Sequence, residues 1–149
     1  MELHILGLYA KDYLLREFIP TKPTYAIRIW SSFQDARDKA TVLLTHRLFK
    51  SVREYTFDDV WPGVCNSNGL MFEENLAQQI LEEFNKDRQG CEALLVHCSA
   101  GKNRSPAVAM ALNEVFKLGH NTAQLKAKYP QANWYVYKTL IEKAKELRF

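Results

Sequence analysis

Three observations predict an α/β fold with a central, mostly parallel sheet flanked by helices. Stretches of β-branched and aromatic residues alternate with stretches of helical period through the middle of the chain. Residues 93–96, Ala-Leu-Leu-Val, are continuously apolar, as a strand covered on both faces requires. A tight turn with glycine at its centre then runs directly into a helix. At 149 residues the chain is long enough to bury a core, and residues 1–149 are expected to form one domain.

The elements follow in order. Residues 3–8 read as a first strand, and 11–18 as a helical turn or two stopped by Pro20 and Pro23. Residues 24–30, rich in β-branched and aromatic side chains, form a second strand, with Ser31 and Ser32 placed to cap a short helix over 33–40. Residues 41–50 fit either period. Residues 51–57 read as a third strand, closed by Asp58 and Asp59 and by the loop signal Pro62-Gly63. From 71 to 86, Leu76, Ile80, Leu81 and Phe84 recur at helical spacing, with Glu73 and Glu74 where the helix dipole favours negative charge. The central strand takes 92–97. A helix follows from about Pro106 and stops at Gly119. Thr122 is placed to cap a short helix to Lys128, and Asn133 to cap a last one striped by Tyr137, Leu140, Ile141 and Ala144.

Hydrophobic residues make up 47% and charged residues 25%, which excludes disordered and fibrous classes. The net charge of +3, without a lysine or arginine run, favours anionic ligands mildly and gives no basis for nucleic-acid binding. No apolar run is long enough to span a membrane, and no basic segment precedes the short apolar stretch at the N-terminus as in a secretory signal. Cys65, Cys91 and Cys98 are few, odd in number and irregularly spaced. They read as thiols of a reducing compartment, so a cytoplasmic monomer is expected.

The chemistry lies between strand and helix, in His97-Cys98-Ser99-Ala100-Gly101-Lys102-Asn103-Arg104-Ser105. A thiol attacks as its thiolate, and a helix N-terminus with a nearby cation lowers a thiol's pKa from ~8.5 to roughly 3.5–7.5. Amides from Ser99 to Arg104 can cradle the oxygens of a phosphate dianion, with Gly101 permitting the tight turn. Arg104 can grip two of those oxygens. Composition alone would give Cys-x2-Gly-x2-Arg in roughly one such chain in a hundred, before the flanking strand and helix are required. Other readings fail on spacing. A nucleotide-binding P-loop needs glycine where Val96 stands and Ser or Thr where Asn103 stands. Cys91, His97 and Cys98 lack the paired spacing of a zinc site, so no metal and no cofactor is expected.

This loop resembles the signature of cysteine-dependent protein tyrosine phosphatases, and the short chain resembles their dual-specificity branch. Residues 55–60 and 129–140 are also similar to compact bacterial and phage phosphatase-like proteins. The resemblance implies a phosphatase-like fold and hydrolysis of phosphate monoesters through a phosphocysteine on Cys98. It further implies that Ser105 assists thiolate departure and that His97 is structural. An aspartate on a loop after a strand would act as general acid and then base. Asp58 and Asp59 are the two candidates, and the family's apolar residue two positions before the acid favours Asp59, through Phe57.

Lys102 reads equally as a solvated charge or a contact to an acidic substrate. Cys65 reads as a free thiol, or as a redox partner of Cys98. Phosphorylated protein is the expected substrate: phosphotyrosine, with phosphoserine and phosphothreonine open to a shallow site. RNA 5′-phosphates, phosphoinositides, arsenate reduction or sulfur transfer, and a non-catalytic phosphate-binding module are the alternatives.

Overall fold

The computed structural model describes residues 1–64 and 69–149. Four strands, β1 (Glu2–Gly7), β2 (Thr24–Trp30), β3 (Phe49–Thr56) and β4 (Ala93–Cys98), form one sheet in the order β1-β4-β2-β3. Every pairing is parallel. All residues of the two inner strands β2 and β4 are buried, whereas exposed and covered residues alternate along the edge strand β3. Continuously apolar inner strands are what a parallel sheet with both faces covered demands.

Five α-helices stand among the described residues: α1 (Ala36–Lys39), α2 (Glu74–Asp87), α3 (Arg104–Phe116), α4 (Thr122–Lys128) and α5 (Trp134–Glu146). On one face of the sheet, Tyr25, Ile27, Ile29, Leu94 and Val96 pack with Ile80, Leu81 and Phe84 of α2, Val108 and Leu112 of α3, and Val136 and Leu140 of α5. A smaller cluster of Leu6, Leu8, Leu15, Ala26, Trp30 and Leu95 fills the other face under Phe18, Val42 and Leu44. Strand alternation therefore sends Cys98 to the helical face and His97 to the opposite one, where its ring meets the edge of Trp30 at 5.2 Å.

Several local expectations shift. Ser31 and Ser32 do not cap α1; Asp35 does, in a reciprocal pair with Asp38. Residues 11–18 yield a single 3-10 turn, Leu15–Glu17. The cap of α4 is Asn121, one residue before the expected Thr122. Helix α3 starts two residues before Pro106, and the left-handed residue that ends it is Lys117 at φ 54°, ahead of Gly119. Asn133 caps α5 as expected, accepting from the amides of Tyr135 and Val136.

Because the strands are parallel, their carboxyl ends share one edge, where open α/β sheets gather ligands. Gly7 ends β1 and Leu8 follows it, Ser31 and Ser32 follow β2, Phe57 to Asp59 follow β3, and the loop after Cys98 follows β4. The loop lies against the end of β1, with the Leu8 and Tyr9 amides donating to the Cys98 and Ser99 carbonyls. A Cβ on Gly7 would fall 2.7 Å from the backbone carbon and oxygen of Ala100, and one on Gly101, at φ 73°, 2.9 Å from the Gly7 nitrogen. Backbone thus meets backbone at a point where neither residue tolerates a side chain. Gly7→Ala is expected to cost about 1–3 kcal/mol by overpacking, measured as a lower urea midpoint with an unchanged denaturant slope.

Candidate active site

The loop from Cys98 to Arg104 curls so that its own amide faces the thiol: Gly101 N–H donates to Cys98 Sγ at 3.3 Å. Ser105 Oγ lies 3.1 Å from the same sulfur. Ser105 therefore belongs to the thiol's surroundings rather than capping α3, whose N-cap, Asn103, makes no capping bond through its side chain. Cys98 and Ser105 are both buried. Among the described residues, the amides of Ala100, Lys102 and Asn103 donate to no protein group, so the loop presents unspent N–H donors beside a helix N-terminus.

Arg104 is 6% exposed, and its placement depends on three strand ends. Nη1 donates to Ser31 Oγ at 2.9 Å and to the Phe57 carbonyl at 2.8 Å, and Nη2 reaches Ser99 Oγ at 3.4 Å. One side of the guanidinium is thus committed to scaffold. Among the described residues Nε has no acceptor, so the edge made by Nε and Nη2 is the one able to take two oxygens of an anion. Ser31 and the Phe57 carbonyl carry no motif that sequence reading can single out.

The adjacent aspartates have opposite surroundings. Asp58 is buried and accepts from Ser32 N at 2.9 Å, Ser32 Oγ at 2.6 Å and Leu70 N at 2.6 Å. Burial works against its charge, but these bonds and the nearby Arg104 prevail and hold the carboxyl below the usual carboxylate range. Asp59 is half-buried and turned toward the phosphate loop. Its carboxylate accepts from Asn103 Nδ2 at 2.8 Å and Asn133 Nδ2 at 2.9 Å. Asn133 N–H also donates to the Asn103 carbonyl at 2.9 Å, so the start of α5 ties the aspartate loop to the phosphate loop. Asn133 is legible in the sequence as a cap, but its second task is not.

On the far face of the sheet, Arg28 Nε donates to His97 Nε2 at 2.9 Å while Nη2 donates to the Val42 carbonyl at 2.6 Å. A lone pair at Nε2 puts the imidazole proton on Nδ1, which faces the Cys98 carbonyl at 3.4 Å. Burial, reinforced by the Arg28 charge, pushes the His97 pKa down from 6.5 to about 3. The ring is neutral and braces the loop from behind. Arg28, a charge between Ile27 and Ile29, was detectable as an exception in an apolar strand.

Lys102 is exposed at the outer side of the loop. Cys91 is half-buried, its thiol pushed up by burial. Cys65, the possible redox partner, lies outside the described residues. Among the described residues no cluster of metal-ligating side chains occurs, and no helix is long and apolar enough to cross a membrane.

No protein-family model and no curated protein matches the chain. Among solved structures it is similar to Tk-PTP in its active form, at a TM-score of 0.44 and 18% identity over 80% of each chain. It is also similar to human tyrosine phosphatase-like serine/threonine/tyrosine-interacting protein, at a TM-score of 0.44 and 15% identity over 85% of this chain and 77% of that one.

The His97 environment has a consequence for stability. Between pH 6.5 and about 3 the unfolded chain binds a proton at His97 that the folded chain refuses, so folding stability falls as pH falls through that window. Urea unfolding at pH 7 and pH 5 is expected to show this loss, and His97→Gln, which has no proton to gain, is expected to flatten it.

Proposed function

We propose that this protein is a metal-independent phosphatase that hydrolyses phosphate monoesters on proteins through a phosphocysteine intermediate. The observation that carries the reading is the convergence on one loop of a thiol met by Gly101 N–H and Ser105 Oγ, unspent backbone amides, and an arginine with one edge anchored and the other free. Donors fixed in this way hold charge on a transferring phosphoryl group without reorganising during the reaction.

In the first step Cys98 Sγ attacks phosphorus while the bond to the leaving oxygen breaks. Arg104 and the loop amides bind the three non-bridging oxygens, and Asp59, entering protonated, gives its proton to the leaving oxygen. In the second step water attacks the phosphocysteine and Asp59 takes a proton from it. The phosphorus–sulfur bond breaks, and the Ser105 hydroxyl hydrogen-bonds the departing thiolate. Asp59 is assigned this role over Asp58 because Asp58 is saturated by Ser32 and Leu70, whereas the amides holding Asp59 come from the phosphate loop itself and from α5. The substrate class in this reading is protein phosphotyrosine, with phosphoserine and phosphothreonine also admitted.

Cys98→Ser is expected to abolish turnover of p-nitrophenyl phosphate while still binding inorganic phosphate by calorimetry; retained turnover overturns the mechanism. The aspartates separate by readout. Asp59→Asn is expected to lower kcat on phosphotyrosine peptides by about 10²- to 10⁴-fold, the usual worth of a general acid. On p-nitrophenyl phosphate, whose leaving group needs little protonation, the loss is expected to be smaller. Asp58→Asn is expected instead to cost about 1–3 kcal/mol of stability by unbalancing buried hydrogen bonds, read by urea denaturation.

A further inference from the structure

A cleft of about 610 Å³ borders the loop that follows β4, and Asp59 is not among its lining residues. Gly101 lines it, and the same residue's amide lies 3.3 Å from the Cys98 sulfur, so the cleft and the proposed catalytic loop share a wall. Its other walls come from the β1–β2 connection, with Tyr9, Lys11 and Tyr13, and from the turn between α4 and α5, with Lys128 and Tyr129; Lys102 stands at its edge. Three lysines face one acid, Asp12.

The lysine between the rings decides what the cleft suits. Lys128 Nζ lies 5.5 Å from the centre of the Tyr13 ring and 5.6 Å from that of Tyr129, both within cation–π reach. One face of each ring thus has a cation beside it. The ammonium lies beside aromatic surface and keeps N–H donors for an anion. Tyr13 itself holds a left-handed φ of 56°, fixed by the Gly7 amide donating to its carbonyl at 3.2 Å. Such a conformation is costly for an aromatic residue and persists only when its surroundings impose it. Yet its side chain is 66% exposed, so the turn directs a large ring to the surface of the cleft.

We propose that this cleft is a recognition subsite for acidic side chains flanking the phosphorylated residue of a protein substrate, with Lys128, Lys11 and Lys102 pairing their carboxylates. The proposal rests on the phosphatase reading and narrows its substrate to phosphopeptides of acidic context. Lys11 and Lys128 are each expected to contribute about threefold, the scale of a partly exposed ion pair, and Lys102, at the edge, little.

The test compares kcat/KM on two phosphotyrosine peptides that differ only in carrying glutamates or alanines on both sides of the phosphorylated residue, with p-nitrophenyl phosphate as the reference. The acidic peptide is expected to be favoured about tenfold. In a Lys11→Ala, Lys128→Ala double variant the preference is expected to fall to near one, with turnover of p-nitrophenyl phosphate unchanged. Equal use of both peptides by the native chain overturns the subsite while leaving the phosphatase reading intact, and so does a preference that survives the double variant. Faster, lysine-dependent turnover of a 5′-phosphorylated oligonucleotide also overturns it. Should no phosphate ester be hydrolysed at all, the phosphatase reading fails. Fluorescence anisotropy of the two labelled peptides then decides the subsite alone: tighter binding of the acidic one, lost in the double variant, supports it, and equal binding overturns it.

Discussion

A buried guanidinium needs acceptors to offset its lost hydration, and the carboxyl edge of this sheet is arranged around that constraint. Arg104 is 6% exposed, and its nitrogens find oxygens from the end of β2, from the end of β3 and from the loop that begins at β4. An unsatisfied buried charge costs several kcal/mol, so these partners select one mutual placement of three strand ends. The arginine is at once a structural bolt and, through its remaining edge, the group that can receive an anion. The geometry of this edge is therefore set by the fold's own hydrogen-bond accounting.

The same accounting separates two neighbouring aspartates. Successive residues leaving β3 point in different directions, so one carboxylate turns inward and the other toward the loop. The inward one, Asp58, binds Ser32 and Leu70 and joins the β3 exit to the β2 exit across the chain. The outward one, Asp59, accepts from the side-chain amides of Asn103 and Asn133. Amide donors steady a carboxylate without the charge of a lysine or arginine partner.

How much of this was legible in the sequence depends on the range of the interaction. Cys98 to Ser105 is contiguous, so its strand, glycine turn and helix start could be read directly, as could β4 from the apolar run 93–96 and β2 from its β-branched and aromatic residues. Asn133 was visible as a cap because capping is local. What escaped was made by tertiary contact. Ser31 and Ser32 resemble any helix cap until Arg104 and Asp58 arrive from 73 and 26 residues away. Helix α1 could not use them once they were so engaged, and Asp35 caps it four residues after Ser31. The left-handed end of α3 at Lys117 escaped for another reason: Asn113 already binds the His120 backbone and accepts the Lys117 and Leu118 amides at its carbonyl, so the chain turns before glycine is reached.

The phosphate loop is finally held from both faces of the sheet, and the two supports differ in kind. On the helical face it is met by donors that an incoming anion would share, from Gly101, Ser105 and Arg104. On the other face it rests on a neutral histidine locked in one tautomer by Arg28, which in turn stacks 4.7 Å from the centre of the Trp30 ring. Were that histidine charged, a second cation would stand beside Arg28 in a buried layer; burial keeps it neutral and so keeps Nδ1–H aimed at the Cys98 carbonyl. Gly7 completes the seat by admitting the loop backbone where any side chain would displace it. The loop is thus backed, on the face away from the helices, by a histidine that stays neutral and keeps one tautomer.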